Sequence, residues 1–202
     1  MKTDFILQRE ALYQPKDTPV LVTVPKFDFL AIDGKGDPNT SDDYAAAVSA
    51  LYTAAYTLKF AVKRASGPDY RVLPLEGLWW SEDPADFIRG DRRGWQWTMM
   101  IRQPVSVTED QFAAAQDKAL DKAGQVAERL RLDPFDEGAS AQLMHRGPYA
   151  EEGPSVARLH EFIAASGLRP RDKHHEIYLS DPNRSRAENM RTVIRQPIEP
   201  VG

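Results

Sequence analysis

WQWTMMIRQPV (residues 95–105) and MRTVIRQPIEPV (residues 190–201) share the tetrapeptide Ile-Arg-Gln-Pro, at Ile101–Pro104 and again at Ile194–Pro197. Each copy closes a β-like run. The surroundings repeat as well: before each copy stand a strand with a glycine-containing exit, a helix, and a strand carrying a glutamate. FLAIDGKGDP, the helix after Ser41 and RVLPLEGLWW precede the first copy; AQLMHRGPY, the helix after Gly153 and HHEIYLSD precede the second. The pattern predicts one β-α-β-β module used twice, in an α+β fold with mainly antiparallel sheets. Two such modules would bury their sheets together, and the seam between them is where function is expected. Residues 1–18 read as an N-terminal arm and 19–202 as a single domain, with module one over about 19–105 and module two over about 106–202.

The chain has 202 residues, enough to bury a sizeable core. A net charge of −4 and the absence of any basic tract argue against nucleic acid as a partner. With no cysteine there can be no disulfide, thiolate metal site or cysteine nucleophile. That composition is compatible with the cytoplasm, the expected location. No signal-peptide core is expected in MKTDFILQRE, and no run reads as apolar enough to span a membrane.

Local signals place the elements. VLVTV and FDFLAIDGKG read as strands broken at Pro25. Ser41 can cap a long helix whose first turn holds Asp42 and Asp43 and whose end holds Lys63 and Arg64. Thr108 and Gln111 form a capping box for a helix predicted to run to about Leu132, weakened at Gly124. Pro154 suits the first turn of a helix with Val156, Leu159, Phe162 and Ile163 on its apolar face. SEDPADFIRGDRR reads as an exposed connection and NRSRAEN as a turn.

Strand alternation then sorts the chemistry-bearing side chains. Glu76, Leu78 and Trp80 point one way, and Trp79 the other. Trp95, Trp97 and Met99 share a face, as do His174, Glu176 and Tyr178. The two glutamates are expected at corresponding places of the two modules. Strand aromatics are ordinarily core, and a mid-strand glutamate is often on a solvated face. Four tryptophans in one hairpin, however, ask for a cavity or surface to fill, and a carboxylate walled by rings suits an apolar cation or general-base work. DGKGD at Asp33–Asp37 lacks the spacing of a phosphate loop and reads as a turn. His174 and His175 point to opposite faces, the four histidines have no metal-ligand spacing, and there is no G-x-S-x-G elbow. His145 could line a pocket or sit at a strand end. Tyr149 could reach the seam or pack the turn.

FLAIDGKGDP, PLEGLWW, the RGPY exit, HEIYLSDP and the closing strand together resemble the GyrI-like small-molecule-binding superfamily, and most closely its stand-alone branch, over about residues 18–200. The resemblance implies two β-α-β-β modules packed with pseudo-twofold symmetry and, between them, a ligand cleft that takes bulky, aromatic, often cationic compounds. It places the central glutamate at Glu176, sets Glu76, Trp79 and Trp80 at the cleft of the other module, and suggests Tyr149. Trp97, His145, His174 and Tyr178 complete the expected binding set, with Glu176 and Glu76 the candidate catalytic pair; no metal or cofactor is implied. The arm before residue 19 is too short for the DNA-binding domain of multidrug-sensing members, so a free-standing binding protein is expected. The alternatives are a hydrolase opening the cyclopropane of genotoxic compounds and an inhibitor of a topoisomerase-type protein partner.

Overall fold

The computed structural model describes residues 10–82, 94–181 and 184–202. The connection expected at 81–93 therefore lies outside the described residues, apart from Ser81 and Glu82. Glu10–Tyr13 forms a short helix, α1, in the arm. The described residues divide into two compact units, one over residues 27–135 and one over residues 136–202 together with residues 10–26.

In the first unit β2 (Phe27–Lys35) leads to α2 (Asp42–Arg64), then β3 (Leu75–Ser81) and β4 (Trp95–Gln103). After these come α3 (Glu109–Ala123) and β5 (Arg131–Phe135). All its strand pairs are antiparallel, in the order β3-β4-β2-β5. Ser41 caps α2 as expected, its side chain accepting from the Tyr44 N–H. The small residues Ala47, Ala50, Ala54 and Ala55, with Leu51, Leu58 and Val62, form the buried stripe of α2. Against expectation, α2 is long and apolar enough by composition to cross a membrane. Its apolarity is explained by that stripe: a helix laid on a sheet must be apolar on its covered face. Thr108 and Gln111 make the capping box, but α3 ends at Ala123. Gly124 there takes a positive φ of 67°, and the following residues tighten into a 3₁₀ turn before β5. The segment expected to continue the helix to Leu132 is thus a turn and an edge strand.

In the second unit β6 (Gly138–Arg146) leads to α4 (Gly153–Ala165), then β8 (His174–Tyr178) and β9 (Arg191–Pro200). β1 (Val20–Val24) adds to β6, giving the order β1-β6-β9-β8, and the short β7 (Leu168–Pro170) pairs with the end of β9. Ala141, Leu143, Leu159, Ile163, Ile194 and Ile198 form a buried cluster between α4 and the sheet. The duplicated β-α-β-β module is therefore real, and its strands pair in the same order in both units. The grouping of the flanking elements differs from a division at 105/106: α3 and β5 sit with the first unit, and β1 with the second.

The doubled tetrapeptide marks equivalent positions. Ile101 pairs with Leu30 and Ile194 with Leu143, each on the helix-covered face. The next residue of each copy faces the other way. Arg102 lies over the Phe27 ring, 4.2 Å from its centroid. Arg195 donates to Glu137 Oε2 (2.9 Å), Gln142 Oε1 (2.9 Å) and the Leu12 carbonyl (2.7 Å). Glu137 also contacts His175 Nδ1 at 2.9 Å, and Gln142 donates to the Ala11 carbonyl at 2.6 Å. This buried network ties the arm to the second unit. Burial alone would raise Glu137, but the charges of His175 and Arg195 and their hydrogen bonds outweigh it and bring its pKa down to about 2.

Candidate functional site

Strand register separates the two glutamates. Glu76 stands opposite Met100, whereas Glu176 stands opposite Ile194. The counterpart of Ile194 is Ile101, one residue from Met100, and Ile101 pairs with Leu75. The glutamates are thus one position out of phase, and a one-residue offset in a strand puts a side chain on the opposite face. The expectation that they occupy matching places is corrected accordingly. Glu76 shares its face with Leu78, Met100 and Ala31, away from α2, and is 1% exposed. Glu176 shares its face with Ile194 and Leu143, under α4.

The tryptophans also divide. Trp79 and Trp97 are paired across β3 and β4 on the α2 face. Tyr44 of α2 stacks on Trp79 at 6.2 Å and meets Trp97 edge-on at 5.2 Å, and Trp95 meets Trp79 at 5.7 Å. Trp97 is fully buried and fills the space over Gly34, where a Cβ would stand 2.1 Å from its ring. Trp97, expected at the ligand, therefore serves as core in the first unit. Trp80 lies on the Glu76 face, opposite Gln96.

The second unit gathers the largest set of expected site residues. Glu176 Oε2 accepts a hydrogen bond from the Tyr178 hydroxyl at 2.8 Å, and Oε1 lies 3.3 Å from His174 Nε2. Tyr149, in the short turn Tyr149–Glu151 before α4, meets Tyr178 edge-on with ring centroids 5.4 Å apart. The positive φ of Gly147, 126°, turns the chain from β6 into that segment. His145, at the end of β6, contacts Ser155 Oγ of α4 at 3.0 Å and the Pro148 carbonyl at 3.3 Å. His145, Thr192 and Tyr178 stand in one row across β6, β9 and β8, beside the Glu176 row. His174 and His175 do point to opposite faces, one to Glu176 and the other to Glu137.

Two residues of this cluster were not anticipated. Thr192 is fully buried. Glu152, at the entrance to α4, is buried, 8% exposed. The sequence signal for Glu152 lay in the motif already singled out: RGPY is followed three residues later by Glu-Gly-Pro, a glutamate fixed at the start of a helix. Burial would raise Glu176, but the hydrogen bond and charge of His174, with the hydrogen bond from Tyr178, hold its carboxyl below the ordinary range. The site is an ionised, largely enclosed carboxylate between aromatic rings. Such a group can attract a cation, orient water or accept a proton.

The GyrI-like small molecule binding domain matches residues 17–199 of this chain. The chain belongs to the GyrI-like family. Solved structures agree over its full length. An uncharacterized conserved protein from Listeria innocua is 42% identical, with a TM-score of 0.89, over 98% of this chain and 100% of its own. Two structures described as hydrolases from Listeria innocua are 40% and 41% identical, with TM-scores of 0.84 and 0.86 and the same coverage. No protein of curated function matches the chain in sequence.

Proposed function

We propose that the chain takes up bulky, hydrophobic, largely aromatic small molecules at Glu176 and hydrolyses them, an activated cyclopropane being the bond class suggested by the resemblance of its sequence motifs to the stand-alone branch. The observation that carries this reading is the Glu176 carboxylate, held ionised and 17% exposed between His174 and Tyr178. The two solved structures described as hydrolases, 40% and 41% identical to the chain, support it. A carboxylate offers about four lone-pair directions, so one bonded to Tyr178 and His174 can still accept from a water molecule. Tyr149 and Tyr178 supply ring surface against which a planar substrate would be held in position.

Glu176→Gln keeps the shape and removes the base. Ring opening of a cyclopropane-bearing compound, followed by chromatography, should fall by roughly 100-fold or more in this variant, the lower range for a lost general base. Turnover at the parental rate would refute the role of Glu176.

A second reading, capture without turnover of a cationic aromatic compound, is favoured by the same lowered pKa. A weakly basic carboxylate is a better counter-ion than proton acceptor. Under it, the fluorescence anisotropy of rhodamine 6G should report binding that Glu176→Gln weakens more than it weakens a neutral dye of similar shape. Equal weakening of both dyes would count against a counter-ion role.

A further inference from the structure

Thr192 carries a buried hydroxyl that the rest of the protein leaves unserved. It lies on β9, opposite His145 of β6 on one side and Tyr178 of β8 on the other, in the row next to Glu176 on the α4 face. The residue is fully buried, and its Oγ1 has no hydrogen-bond partner among the described residues. Its cross-strand neighbours are committed elsewhere. Both ring nitrogens of His145 are taken, by Ser155 Oγ and by the Pro148 carbonyl. The Tyr178 hydroxyl gives its proton to Glu176 Oε2 at 2.8 Å. A buried hydroxyl without a partner costs free energy, and valine would suit a strand interior without that cost. The group therefore points to a polar atom brought in from outside the chain.

Register fixes what else that atom can touch. Glu176 stands opposite Ile194, so Glu176 and Thr192 are diagonal neighbours across β8 and β9 on one face. Diagonal neighbours stand roughly 7–8 Å apart, their Cβ atoms somewhat less. No hydrogen bond joins the two side chains, and a separation of that order is one that a single water bridges. Glu176 is bonded to Tyr178 through Oε2 and lies 3.3 Å from His174 through Oε1, and it keeps lone pairs for a water proton. Buried waters are held by roughly two to four polar partners, and Thr192 and Glu176 supply two.

We propose that Thr192 is a further catalytic residue of this site: its hydroxyl, together with the Glu176 carboxylate, holds and orients the water that attacks the substrate. The proposal rests on the hydrolytic reading of Glu176 above. The water gives one proton to Glu176 and the other to Thr192 Oγ1 as hydrogen bonds, which leaves an oxygen lone pair for the substrate. The step balances with water as the only co-reactant. The water oxygen bonds to the electrophilic ring carbon, and its proton passes to Glu176. The ring C–C bond breaks, and its electron pair passes into the conjugated carbonyl, whose oxygen takes a proton from solvent. Glu176 then returns one proton to solvent. Thr192 neither gains nor loses a proton. It acts by position, so its loss slows the attack more than it weakens substrate binding.

Thr192→Val keeps the shape of the side chain and removes the hydroxyl, whereas Thr192→Ser keeps the hydroxyl. With a spirocyclopropyl cyclohexadienone as probe, Thr192→Val should lower kcat by roughly 10- to 100-fold with KM little changed, the loss expected of a misplaced reactant. Thr192→Ser should recover most of that rate. Crystal structures of the whole protein should show an ordered water within about 3.2 Å of both Thr192 Oγ1 and the Glu176 carboxylate, and none at that place in Thr192→Val. The proposal is overturned by parental turnover in Thr192→Val, or by a loss confined to KM, which would put the hydroxyl on the substrate. It is overturned equally by a Thr192→Ser as slow as Thr192→Val, or by a crystal structure in which no water joins the two side chains. Should Thr192→Val not fold, the rate of Thr192→Ser and the water in the unsubstituted protein decide the question. Failure of the unsubstituted protein to open the probe would instead sink the hydrolytic reading, while the crystal structures still decide whether Thr192 and Glu176 hold a water.

Discussion

Glu137 illustrates how much one buried side chain can set. It is 2% exposed and bonded to both His175 and Arg195, which also holds the arm through Leu12. Removing one member of such a group leaves its partners buried and unpaired, so Glu137→Gln should cost about 3–5 kcal/mol in chemical denaturation. The pH dependence has a definite sign. The folded pKa of about 2 lies below the ordinary 4.5, so the unfolded chain binds the proton first. The contribution of Glu137 is complete above about pH 4.5 and is lost as the pH falls toward 2. Unfolding at pH 6 and pH 3 should therefore show a loss of stability at the lower pH that shrinks in Glu137→Gln; an equal loss in both proteins would contradict it. Such single-residue roles were partly legible in the sequence. The face shared by His174, Glu176 and Tyr178 followed from alternation, whereas Glu137 acts through partners far along the chain, and no local spacing announces it.

Among the elements, β2 and β4 depend on one close approach. Gly34 pairs with Trp97, and a Cβ there would stand 2.1 Å from the indole ring. The fault in Gly34→Ala is crowding against a fully buried ring, so the substitution should destabilise by about 1–3 kcal/mol, measured by thermal or chemical unfolding. A gain in stability would show that Trp97 can shift freely. At the other end of the same unit, Thr108→Ala removes half of the capping box of α3 and should cost about 1 kcal/mol. Helix starts were the most readable features of this chain, because Ser41, Thr108 and Pro154 act on the backbone within a few residues. Strand register was not readable. It is fixed by the turn and by packing across the hairpin, so the doubled tetrapeptide identified the equivalent strands but left Glu76 and Glu176 a residue apart in phase. The end of α3 was likewise set by the positive φ of Gly124, where helical propensity around it suggested continuation.

Over the whole molecule, one module has been given two different contents. The first unit spends its tryptophans on β3 and β4, and at least Trp97 is plain core. The second carries, on the face beneath α4, an ionised glutamate with a tyrosine and a histidine bonded to it. The pairing order explains how both can fold from one plan, and the differences on β8 and at the start of α4 explain why the chemistry is assigned to the second. The measurement that tests this most directly is mass spectrometry of the product formed from a cyclopropane-bearing compound in oxygen-labelled water. The account predicts a product carrying one labelled oxygen atom, formed by the parental protein and nearly absent with Glu176→Gln. A product without labelled oxygen, or one formed equally well by Glu176→Gln, would contradict it.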